Sequence, residues 1–88
     1  LRRGDGMVGM TERIRLTFIN DEGALVRILG LVERRGYRLD RVVAEEGTLT
    51  LSLTPRDPGR RLDVLAAQLR RLHDVTDVTP FPSMQSAA

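Results

Sequence analysis

The chain contains no cysteine, no lysine and no tryptophan, and its aromatic content is one tyrosine and two phenylalanines. Without cysteine it can form neither a disulfide framework nor a thiolate metal site, and it offers no thiol nucleophile. Cysteine-free composition fits the cytoplasm, which is the expected compartment. No apolar run approaches the roughly 18 residues that a membrane span requires, so no membrane association is expected. The start, Leu1 to Met10, has no hydrophobic segment of the secretory kind.

All basic residues are arginine: 14 of them face 12 acidic residues, for a net charge of +2. The pI of about 10.4 therefore reflects the high guanidinium pKa rather than a strong positive field, and charge alone points to no nucleic-acid partner. With 41% hydrophobic and 30% charged residues in 88, the composition is that of one small globular domain with a modest core. Residues 1–11 read as a flexible leader and 83–88 as a flexible tail, which leaves 12–82 as the folded domain.

From Arg13 the pattern has period two, with Ile14, Leu16 and Phe18 on one face and Arg13, Arg15 and Thr17 on the other, as in a half-buried strand. After Asn20-Asp21-Glu22-Gly23, the residues Leu25, Ile28, Leu29 and Val32 recur at helical spacing up to Gly36, a natural helix stop. Ala24, Val26 and Leu31 lie off that line, which leaves open either a second contact surface or a broad core face. Residues 37–46 do not alternate cleanly, but their β-branched content and the Glu46-Gly47 turn predict a strand entering a hairpin. Thr48 to Thr54 alternate strictly, three leucines against four hydroxyls. Two prolines and Gly59 interrupt, and Leu62, Leu65, Leu69 and Leu72 then form a second helical stripe. Val75 to Phe81 reads as a last strand in which Val75 and Val78 are out of phase, so that one of them is expected in the turn.

The order βαββαβ, with one apolar stripe on each helix, implies an α+β ferredoxin-like sandwich: a four-stranded antiparallel sheet with two helices on one face. That plan hosts many functions, so chemistry must be sought in the residues. The catalytic inventory is poor. His73, the single histidine, is read in the last turn of the second helix, serving its C-terminus, and with Asp74 and Asp77 beside it offers too few donors for a metal; no metal is assigned. An acylphosphatase-like anion loop would need glycines and an arginine where Asp21 and Glu22 stand. The open face expected at Thr17, Thr50 and Ser52 carries no aromatic to stack a base, against RNA binding.

The informative stretch is Phe18 to Arg27. As a helix start, Asn20 or Asp21 would cap free N–H groups. As a ligand loop, Gly23 would let a ligand reach the backbone, and the helix N-terminus would receive the carboxylate of an amino acid whose ammonium meets the Asn20 side chain. Both readings remain open on local physics alone.

The run N-D-E-G-A-L-V-R-I, followed by G-L-V-E-R-R-G-Y, resembles the N-x-x-G-x-L-x-R and R-G-Y/F signatures of the ACT domain in acetolactate (acetohydroxyacid) synthase small subunits. L-A-A-Q-L-R-R-L-H-D-V is similar to a later segment of the same family, so the likeness spans about residues 13–81. The resemblance implies a non-catalytic regulatory subunit, short and isozyme II-like. It would form a homodimer through its ACT domains and activate the large catalytic subunit in branched-chain amino-acid biosynthesis. No cofactor is expected in this chain; thiamin diphosphate, Mg and FAD would belong to the partner. The resemblance implies that the effector, valine or another amino acid, would be bound by the loop of Asn20, Asp21, Glu22, Gly23, Ala24 and Leu25 together with Arg38. A family position after the R-G-Y run, commonly Asn, is Arg38 here, and the short subunits of that family include valine-insensitive forms. A stand-alone amino-acid-sensing ACT module with another partner is the alternative.

Overall fold

The computed structural model describes residues 11–81; the leader expected over 1–11 (Thr11 apart) and the tail over 83–88 lie outside the described residues. The elements run β1 (Glu12–Phe18), α1 (Ala24–Arg34), β2 (Tyr37–Glu45), β3 (Thr48–Pro55), α2 (Leu62–Arg70) and β4 (Val75–Phe81). They build one antiparallel sheet of order β2-β3-β1-β4, the ferredoxin-like plan. The inward rows Ile14-Leu16-Phe18 and Leu49-Leu51-Leu53 meet Ile28 and Val32 of α1 and Leu65 and Leu69 of α2 in a single core. No helix among the described residues is long and apolar enough to cross a membrane.

Both edge strands carry a bulge, which accounts for their imperfect alternation. In β2 the register slips between Leu39 and Arg41. Leu39 therefore stands opposite Leu53 and is partly buried, whereas Val42, three residues on, stands opposite Leu51 but is 40% exposed. The extra residue, Asp40, is held by Arg38 Nε at 2.8 Å and by the Thr54 hydroxyl at 2.5 Å. In β4 the slip lies opposite Thr17/Phe18, so that Val78 faces Leu16 and Val75 faces Phe18. Val75 and Val78 are both buried strand residues, and the expectation that one falls in the turn is corrected.

One open reading is resolved and one expectation changes. Ala24 and Leu31 are in the core rather than on a second surface; of the three off-line residues only Val26 is exposed, at 76%. The second helix ends at Arg70, and His73 occupies the turn beyond it, with Leu72 still packed against the core from outside the helix.

Candidate functional site

The β1-to-α1 connection is built by backbone hydrogen bonds. Ile19 N–H donates to Asp74 O at 2.7 Å, tying the end of β1 to the α2-β4 turn. Asp21 N–H then donates back to Ile19 O at 2.8 Å, and Ala24 N–H to Asp21 O at 3.0 Å. The second of these closes a four-residue turn whose third residue, Gly23, has φ 81° and ψ 0°, the geometry of a type II turn. A side chain there would be strained, and a Cβ would come within 3.1 Å of Arg27 Nη1.

Gly23 is also the N-cap of α1, and no side chain caps this helix. The reading in which Asn20 or Asp21 fills that role is thereby overturned: the chain turns at Gly23, leaving both residues exposed upstream of the cap. Glu22 and Gly23 are exposed as well, while Ala24 faces the core and Leu25 is partly buried against it. The loop thus brings Asn20, Asp21, Glu22 and Gly23 together at the surface. It does not bring Arg38. That residue pairs with Thr54, at the opposite end of the sheet from the hairpin where Thr17 meets Thr48.

Two residues outside the expected loop organise it. Arg27 Nε donates to Asp74 Oδ2 at 2.7 Å, and its Nη2 to Glu22 O at 3.3 Å. The Asp74 side chain is completely buried. Its hydrogen bond from Arg27 holds the carboxyl below the usual carboxylate range, against burial, which acts the other way; the same bond raises the Arg27 pKa. Arg27 stands inside the recognisable run, but nothing in the sequence identifies its acidic partner 47 residues away.

Concavities also lie away from this loop, the widest of those described being an open one of about 770 Å³ lined by Arg15, Glu45, Glu46, Thr48 and Thr50. One of about 170 Å³ is lined by Arg35, Tyr37, Gly59, Arg60 and Arg61 among others, and one of about 290 Å³ lies on the open sheet face around Arg13, Arg41 and Thr50.

A family model of the ACT domain matches residues 20–78, from the first residue of this loop to the inward valine of β4. The chain belongs to the ACT domain family. ACT domains are regulatory modules, and the βαββαβ order with two helices on one sheet face is their fold. Among solved structures, this ACT domain is similar to that from the GTP pyrophosphokinase of Chlorobium tepidum, with a TM-score of 0.66 and 20% identity over 82% of this chain and 97% of that one. It is also similar to part of a homoserine dehydrogenase from Thiobacillus denitrificans (TM-score 0.66, 19% identity, 83% of this chain and 17% of that one). Aspartokinase III of E. coli, solved with lysine and aspartate, gives a TM-score of 0.58 at 18% identity, covering 82% of this chain and 17% of that one. At such identities these likenesses speak for the fold. Comparison with curated protein sequences gave no match.

Proposed function

We propose that this ACT domain is a non-catalytic regulatory subunit that pairs with a second copy of itself and activates the large catalytic subunit of acetolactate synthase in the cytoplasm. Catalysis, with thiamin diphosphate, Mg and FAD, belongs to that partner. The observation that carries the reading is the run from Asn20 to Arg27: its motif resemblance is to acetolactate synthase small subunits, and it forms the tight β1-α1 turn at an α1 N-terminus without a side-chain cap. First-turn N–H groups at such an end favour a carboxylate, and the exposed Asn20 side chain is available for the ammonium of the same amino acid.

The test is acetolactate formation by the purified catalytic subunit from the same source, titrated with this chain with and without valine. Stimulation supports the activating role, and reversal by valine supports an effector at the loop. Gly23→Asp is expected to abolish effector binding while leaving the catalytic subunit active. Unchanged valine affinity of that variant by calorimetry would remove the loop assignment.

Absence of stimulation at every ratio would favour a second reading, an amino-acid-sensing ACT module serving another enzyme. The likeness to domains within a homoserine dehydrogenase and an aspartokinase gives that reading its support.

A further inference from the structure

Asp21, His73 and Asp74 come from two loops that are far apart in sequence and adjacent in the fold, joined by the Ile19 N–H to Asp74 O bond. One donor atom from each lies within 4.8 Å of the other two. Asp74 is already oriented: Oδ2 is held by Arg27, while Oδ1, fully buried, accepts no hydrogen bond among the described residues. Oδ1 instead stands 3.1 Å from His73 Nε2, close but without hydrogen-bond geometry. Two donors each about 2.1 Å from a Zn²⁺-sized ion and 3.1 Å from one another subtend roughly 95° at it, near the angle between adjacent ligands of a four- to six-coordinate ion.

We propose that Asp21, His73 and Asp74 form a binding site for a divalent first-row transition-metal ion of the Zn²⁺ class. The donor set is one imidazole nitrogen and two carboxylates, too nitrogen-rich for Mg²⁺ or Ca²⁺ and without the thiolates that select Cu(I). Asp74 is the fixed ligand, buried and braced by Arg27, which acts as the outer partner that orients a ligating carboxylate. His73 and Asp21 are exposed and close onto the ion by side-chain rotation, leaving the remaining positions to water or to another oxygen donor. Along the chain, His73 with Asp74 and Asp77 offers too few donors, too weakly spaced, for a metal; the fold puts Asp21 in the place of Asp77 and brings one donor atom of each residue within 4.8 Å of the others, so that water or another oxygen donor has only to complete the shell.

His73 is the chain's sole histidine and there is no cysteine, so one substitution localises the site. Calorimetric titration of the full chain with Zn²⁺ in a non-chelating buffer, and visible ligand-field spectra with Co²⁺ as a probe, are expected to show one saturable ion per chain. His73→Gln and Asp21→Asn, both at exposed positions, are expected to weaken binding at least about tenfold, with Arg27→Gln weakening it less and Asp77→Asn not at all. Zn²⁺ is also expected to raise the melting temperature of the wild type and not that of His73→Gln. Unaltered Zn²⁺ affinity in His73→Gln, or no saturable binding by the wild type, would overturn the proposal and leave His73 and Asp74 as an ion pair only.

Discussion

Tyr37 places a phenol at the end of the core, 1% exposed, and its hydroxyl has no hydrogen-bond partner among the described residues. Burial, reinforced by the Glu12 charge, pushes its pKa up to about 12. The neutral form is the one the fold tolerates, so the contribution is fully present below the ordinary tyrosine value and is lost as pH rises through the folded one. Stability is expected to fall by about 2 to 3 kcal/mol between roughly pH 10 and 12 from this group. Tyr37→Phe removes a buried hydroxyl that has no partner among the described residues, so at neutral pH it should be neutral or stabilise by up to about 1 kcal/mol, and it should flatten the alkaline loss. Urea unfolding of both proteins at mildly and strongly alkaline pH reads the difference directly. Asp74 has the opposite sign. Its carboxyl is held low by Arg27, so its contribution is present above the ordinary carboxylate range and disappears as pH falls through the depressed value. Asp74→Asn is expected to lower stability at neutral pH and to show a shallower loss on acidification; an acid limb as steep as that of the wild type would assign the titration to other carboxylates, such as Asp63, which Arg61 also holds low.

At the scale of elements, the β2-β3 hairpin turns on two residues, Glu46 and Gly47, both with positive φ (46° and 82°). That is the type I′ arrangement suited to the strand twist, and Glu46 is a poor occupant of its first position. Glu46→Asn is therefore expected to stabilise the domain by up to about 1 kcal/mol, measurable as a higher urea midpoint with unchanged slope. The Glu46-Gly47 turn was legible in sequence, as were the strict alternation of Thr48 to Thr54 and the helical stripes, because each is a local pattern fixed by the period of one element. The phases of Leu39 against Val42 and of Val75 against Val78 were not. A bulge depends on how an edge strand meets its neighbour, and a single strand's pattern carries no record of that. The helix stripe also continued to Leu72 past the true end of α2, since a core contact made from a turn keeps the apolar spacing. At the site, Asn20 and Gly23 could be read because they are contiguous in one motif. Asp74 could not, because its role rests on Arg27 and Asp21, which only folding brings near.

At the scale of the whole molecule, two helices cover one face of the sheet, and the other face keeps Arg13, Arg15 and Thr17 exposed beside Thr50 and Ser52. The aromatic on that side, Phe81, is engaged by the Arg15 guanidinium at 5.7 Å rather than standing as a base-stacking platform. Large apolar groups remain at the surface on the end that carries the β1-α1 loop: Ile19 is 50% and Val26 76% exposed. A domain this small has a limited core of its own, so a second copy would add stability by mass action, as any partner that binds only the folded state does. If the proposed homodimer forms, the melting temperature should rise with protein concentration by roughly a few degrees for each tenfold increase above its dissociation constant. Val26→Asp separates this effect from intrinsic stability. The position is open to water, so the melting temperature of the dilute chain should hardly change, whereas a charge buried in a contact between copies costs several kcal/mol without a partner, of order the whole association energy of a weak dimer. Loss of the concentration dependence in Val26→Asp would place α1 in the contact. A concentration-dependent melting temperature that survives the substitution would put the pairing surface elsewhere, with the open sheet face and the β2 edge as the next regions to alter, and a melting temperature independent of concentration in both proteins would remove the homodimer.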